Sequence, residues 1–142
     1  MTALAAGLLL VPALDQVLKL LVLRGLASAA VPLGPLGRLE AVRSRAWLTR
    51  PGPGLATVWG LWIFAAGALA SLSAWFPSCV WFAGALLGGS LSHALETSLR
   101  GCVIDYVRLR FWPAFNLADV AITAGALGVL AQMVVATKGA WS

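Results

Sequence analysis

Four stretches of this chain are each long and apolar enough to cross a lipid bilayer, and little is left over to build a water-soluble body. Crossing about 30 Å of hydrocarbon takes about 20 residues of helix. Windows of that kind run approximately from Thr2 to Gly25, Leu55 to Trp75, Cys79 to Leu99 and Asn116 to Thr137. The second holds no formal charge, the first is interrupted by Pro12 and Asp15, and the third carries Gly88, Gly89, His93 and Glu96. Only 11% of the 142 residues are charged, against about 25% in a soluble domain. That is too few to clothe a surface in water. The expected class is an all-α membrane protein, with four transmembrane helices in a single domain over residues 1–142. The first window lacks a basic leader and a clear small-residue cleavage site, so it is expected to be retained.

Two polar segments separate these windows. Residues 27–54 hold Pro32, Pro35, Pro51 and Pro53 together with Arg38, Arg43, Arg45 and Arg50. Proline blocks a continuous helix there. An extramembrane linker with short strands and an interfacial helix is expected. Residues 100–113 form the second segment. The brief connection around Pro77 makes helices two and three antiparallel neighbours, and the even helix count puts both polar segments on one membrane side. With Arg24, that side collects eight of the ten cations. The positive-inside rule would place it in the cytoplasm; the alternative is that the arginines grip anionic lipid head groups. No basic helix face points to nucleic acid. The tryptophans lie in or beside apolar runs, as in an interfacial belt.

Of the five carboxylates only Glu40 sits in the long linker. Asp15, Glu96, Asp105 and Asp119 lie in or beside apolar helices. A carboxylate at a helix centre costs about 2.5–3.5 kcal/mol on insertion scales, so these four are candidates for function. Asn116 is placed to cap the fourth helix with Asp119 at its third position, the spacing of a capping box. Capping is one reading of Asp119. The other pairs it with Asp105, since the two bracket one short connection and two carboxylates sharing a water are the machinery of aspartic proteolysis. Adjacent like charges cannot both ionise cheaply. The helix terminus favours Asp119 as the base, and apolar neighbours favour Asp105 as the acid.

The run Pro113-Ala114-Phe115-Asn116-Leu117-Ala118-Asp119-Val120-Ala121-Ile122 resembles the F-P-A-F-N-x-A-D-x-x-I pattern of the signal peptidase II family, with Trp112 where the pattern begins with phenylalanine. Val103-Ile104-Asp105-Tyr106 is similar to its V-V-D-F, and Asp15-Gln16-Val17-Leu18-Lys19 to its D-Q-x-x-K. Gly88-Gly89-Ser90-Leu91 begins like its G-G-A-L-G-N-x-x-D-R, but His93, Glu96 and Thr97 stand where that pattern has asparagine, aspartate and arginine. Arg100, four positions after Glu96, is spaced to supply the missing guanidinium. The family's N-x-G-A-A-F is not recognisable; Ser44-Arg45-Ala46-Trp47 occupies roughly its place.

The resemblance implies a catalytic dyad of Asp105 and Asp119 that cleaves a signal peptide before a diacylglyceryl-modified cysteine, with no cofactor. It implies a lipid-modified prolipoprotein substrate and membrane lipids as partners; a larger membrane complex is left open. The implied place is the bacterial cytoplasmic membrane, with the catalytic side facing outward. Asn116 positions Asp119 or the substrate backbone on this reading. Asp15 and Lys19, one turn apart, form either a structural pair or a contact near the substrate's lipid. His93 and Glu96 are expected to pair inside the bundle, and Gly84, Gly88, Gly89 and Ser92 to permit close helix packing. No metal is expected, since one histidine with scattered carboxylates falls short of the three protein ligands of catalytic zinc. Two other readings stay open: a noncatalytic relative acting as a membrane subunit or binding protein, and a small transporter or proton conductor.

Overall fold

In hydrocarbon every backbone N–H and C=O must be satisfied within the protein, which leaves the helix as the form for an apolar segment of this length. The structure, a computed structural model, describes residues 2–25, 30–44 and 54–139. It contains helices α1 (Thr2–Gly25), α2 (Leu55–Trp75), α3 (Val80–Arg100) and α4 (Leu117–Gly139). Each contributes a span long and apolar enough to cross a membrane. Helix α1 continues through Pro12, which is buried within it. Helix α3 stops at Gly101, where φ is 67° and the N–H bonds to the Thr97 carbonyl at 3.0 Å. Glycine adopts that left-handed cap without steric cost. A turn at Pro77–Cys79 reverses the chain between α2 and α3.

Helix α3 is the centre of the bundle. It runs parallel to α1, as Gly84 meets Leu4, Gly88 meets Val11 and Ser92 meets Asp15. It runs antiparallel to α4, with Gly89 against Ala118 and Ile122, and Gly125 against Leu86 and Phe82. The expected small-residue packing is therefore present, and it brings backbones nearly into contact. A methyl group on Gly89 would lie 2.6 Å from the Ala118 carbonyl oxygen. Helix α2 packs chiefly on α3, where Trp59 and Trp62 donate to Ser98 and Ser90, each at 3.1 Å. Leu61, Ile63, Phe64 and Leu127 face outward, as lipid-facing residues should.

The two polar segments combine into one antiparallel sheet of β1 (Val31–Pro32), β2 (Gly37–Ser44) and β3 (Val103–Leu109), in that order. Strands in the first linker were expected; β3 in the second segment was not. Its Val103-Ile104-Asp105-Tyr106-Val107 run is β-branched and aromatic, a composition that fits a half-buried pleated surface. Between Leu39 and Val42, β2 carries one more residue than its partner, a bulge opposite Tyr106. On the sheet, Glu40 receives Arg38 Nε at 2.7 Å and Arg108 Nη1 at 2.6 Å. The Arg108 hydrogen bond leads in holding the Glu40 carboxyl below its ordinary range, and Arg38 adds to it. Two of the clustered arginines thus share one carboxylate within the protein. The helical element described in the first linker is a single 3-10 turn at Gly34–Leu36, and residues 45–53, with Arg45, Trp47 and Arg50, lie outside the described residues.

The sheet closes the end of the bundle where α1 and α3 finish and α2 and α4 begin. The opposite end is apolar, with Cys79, Ala83 and Val129 packed against Leu4, Leu69, Leu72 and Phe82. Gly89→Ala should lower stability in detergent by about 1–3 kcal/mol, the cost of overpacking. Gly67→Ala, where nothing lies within 4 Å of the added methyl, should leave the thermal unfolding midpoint unchanged or slightly raised.

Candidate active site

The polar end of the bundle is organised by the first turn of α4. The opening N–H groups of a helix have no partners within it, and here side chains from three elements supply them. Leu117 N–H donates to Tyr106 Oη at 3.0 Å, Ala118 N–H to Asp15 Oδ1 at 3.2 Å, and Asp119 N–H to Asn116 Oδ1 at 3.1 Å. Asp119 answers through Oδ2, which accepts the Asn116 N–H at 2.9 Å. This reciprocal pair is the capping arrangement the spacing predicted.

Asn116 also reaches the other carboxylate. Its Nδ2 donates to Asp105 Oδ1 at 2.8 Å and to the Ile104 carbonyl at 3.2 Å. Asn116 is almost fully buried, as is Asp105 on β3. One asparagine therefore holds Asp105 with its side chain and Asp119 with its backbone. Asp119 is the more accessible of the two, its side chain 39% exposed. It lines a cavity of about 340 Å³ with Trp112, Phe115, Val120, Thr123, Ala124 and Leu127. Apart from Asp119 and Thr123 the lining is apolar, and it continues onto the lipid-facing side of α4.

Beneath the pair lies a chain of buried charge. Lys19 Nζ sits 2.7 Å from Asp15 Oδ2 and 2.5 Å from Glu96 Oε2, all three side chains fully buried. Arg100 Nη1 closes the series at 2.8 Å from Glu96 Oε1. Ser92 Oγ donates to Asp15 Oδ2 at 2.6 Å and accepts from Gln16 Nε2 at 3.1 Å. Two anions and two cations alternate, so the network is neutral. The Asp15–Lys19 and Glu96–Arg100 pairs both form at the spacing that predicted them. The expected His93–Glu96 pair does not. Glu96 is occupied by Lys19 and Arg100, while His93 turns toward α4, its Nε2 3.1 Å from Asp119 Oδ1. The physical reason is charge: a buried carboxylate gains more from two cations than from an imidazole.

The structure adds residues to the site that the sequence did not place there. Tyr106 is buried and caps α4, and burial pushes its hydroxyl pKa up. Ser92 and Gln16 complete the shell around Asp15. Among the described residues no group of three His, Cys, Asp or Glu side chains could hold a metal ion.

A family model described as "Signal peptidase (SPase) II" matches residues 7–135. The chain belongs to the signal peptidase II family. Its curated relatives include lipoprotein signal peptidases of Xylella fastidiosa (strain 9a5c), 36% identical over 85 residues, and of Pseudomonas aeruginosa (strain PAO1), 37% identical over 90 residues. The aligned part is 50% of this chain and 51% of the Xylella protein, and 53% of each for the Pseudomonas protein. The chain thus spans about half the length of the curated relatives it matches. A solved structure described as a bacterial membrane enzyme, determined by the in meso method at 2.3 Å resolution, shares the fold with a TM-score of 0.78 at 18% identity. That likeness covers 98% of this chain and 92% of the other. The four helices and the family together make this a multi-pass bacterial membrane protein.

Within the signal peptidase II pattern, the substitutions in α3 form a working set. Glu96 is one methylene longer than the pattern's aspartate, and Arg100 lies three residues beyond Thr97, which stands where the pattern has arginine. Glu96 and Arg100 pair across one helical turn. Lys19→Met leaves one anion in excess and should destabilise the protein by about 3–5 kcal/mol. The double variant Lys19→Met/Glu96→Gln restores neutrality and should recover part of that loss in thermal unfolding in detergent.

Proposed function

We propose that this protein is a lipoprotein signal peptidase that uses Asp105 and Asp119 to activate water. The observation that carries this reading is the double role of Asn116, which holds buried Asp105 with its side chain and, with its backbone, Asp119, which lines an apolar cavity. The substrate class follows from the family and its curated relatives: a prolipoprotein whose signal peptide is apolar and whose cysteine carries diacylglycerol. Both the peptide and the acyl chains suit a groove formed by Trp112, Phe115, Val120 and Leu127 at the edge of a bilayer.

Asp119, at a helix N-terminus where negative charge is favoured, takes a proton from the water as its oxygen attacks the scissile carbonyl carbon. Buried Asp105 gives a proton to the carbonyl oxygen, producing a neutral gem-diol. The diol then collapses: one of its hydroxyls returns a proton to Asp105, the C–N bond breaks, and Asp119 passes its proton to the nitrogen, which leaves as the amine of the modified cysteine while the new carboxyl group stays on the signal peptide. One shared proton serves both halves, as adjacent carboxylates require. No cofactor enters this scheme. Asn116 positions the pair throughout, and Asp15 supports it from below by holding Ala118 N–H.

The chemistry requires the sheet end to face the outer side of the cytoplasmic membrane. Arg38 and Arg108 bind Glu40 and Arg100 binds Glu96, so these three arginines have partners within the protein whichever side the sheet faces.

Purified protein should cleave a diacylglyceryl-modified prolipoprotein in detergent or lipid, and Asp105→Asn and Asp119→Asn should each slow it by about 10²–10⁴-fold, the range of acid–base contributions. Both replacements keep hydrogen-bonding side chains of nearly the same shape. Wild-type protein that yields no product, where another signal peptidase II cleaves the same substrate, would instead favour a noncatalytic subunit.

A further inference from the structure

His93 stands where the family pattern has asparagine, and the structure gives it a partner other than the one its helix spacing suggested. Its Nε2 lies 3.1 Å from Asp119 Oδ1. The nitrogen is shielded from solvent, yet it makes no well-aligned hydrogen bond. Asp119 Oδ2 is held inside the helix cap by the Asn116 N–H, whereas Oδ1, beside His93, keeps a second lone pair to receive a proton from water.

We propose that His93 is a positioning residue, presenting an Nε2–H to Asp119 Oδ1 and so fixing which carboxylate oxygen faces the reacting water. Two lone pairs at 3.1 Å would repel, so the nitrogen at that distance carries a hydrogen, whether the ring is neutral or charged. Contacts on both oxygens, one from Asn116 and one from His93, set the plane of the carboxylate as a single contact could not. The oblique geometry fits a site without substrate, because catalytic hydrogen bonds are often long or misaligned until the substrate complex forms. Ring position comes from α3, whose neighbouring Ser92 and Glu96 are pinned to α1 through Asp15 and Lys19. The buried charge chain therefore sets where the imidazole points. An asparagine at position 93 can also donate a hydrogen, so the family pattern and this chain share a donor at this position and differ in its reach.

This inference rests on the peptidase reading for its kinetic consequence, though not for its geometry. The chain contains one histidine, so protein labelled with ¹⁵N-histidine and carrying a histidine-free tag gives an unambiguous imidazole signal. The expected spectrum shows Nε2 protonated, with a downfield, exchange-protected proton that moves upfield in Asp119→Asn as a charged acceptor is replaced by a neutral one. A bare Nε2, or a spectrum that Asp119→Asn leaves unchanged, overturns the proposal whether or not the protein cleaves anything. In the cleavage assay, His93→Leu should lower kcat by about tenfold to a hundredfold with KM little altered, and His93→Asn should restore most of the loss. Full kcat in His93→Leu, or a His93→Asn as slow as His93→Leu, removes the positioning role while leaving the peptidase reading intact. A wild type without activity removes the peptidase reading instead, and the spectrum still decides the contact.

Discussion

The alternation of charge along Asp15, Lys19, Glu96 and Arg100 is the constraint on which the polar end of this molecule depends. Each of these groups alone would be costly in the bilayer. Together they are neutral, and their short contacts tie α1 to α3. Asp15 then passes this order to α4 through the Ala118 N–H. A buried ion pair is weak evidence of net stability, because desolvation offsets much of its attraction. Its value here is in register: α1, α3 and α4 can satisfy these groups together in one relative position.

That register matters because the two candidate carboxylates come from different kinds of structure. Asp105 rides on a strand of the extramembrane sheet, while Asp119 sits in the first turn of a membrane helix. Asn116 joins them at the junction. Tyr106, next to Asp105 on β3, caps the same helix turn through Leu117, so strand and helix are stitched together on both sides of the pair. The bulge in β2 opposite Tyr106 adds the local bend by which a sheet commonly re-aims side chains near a site.

Much of this was legible in the residues. Hydropathy alone marks four spans, because lipid imposes one solution on a long apolar segment. Local spacing was equally informative: the Asn116–Asp119 cap, the Asp15–Lys19 pair and the Glu96–Arg100 pair all lie within one helical turn. Contacts between distant segments were not legible. Ser92 meets Asp15 across 77 positions of sequence and Gln16 meets Ser92 across 76, and no periodicity announces either. His93 shows the same limit from the other side. Helix spacing offered it Glu96, but Glu96 was claimed by cations from two directions, one of them on α1. Strand β3 was hidden because a polar connection between two spans gives little sign of the partner strand it will find.

The pairing of β2 with β3 has a consequence for how the protein comes into being. These strands are separated in the chain by the whole α2–α3 hairpin, so both must lie on the same side of the bilayer before either can find its partner. A nascent chain that has threaded its first two spans carries β2 but not Asp105, and one that lacks α4 has no Asn116 to bring the carboxylates together. The contact between Asn116 and both carboxylates is thus withheld until the last span is inserted, and a partly made copy exposes no half-assembled pair to the membrane around it.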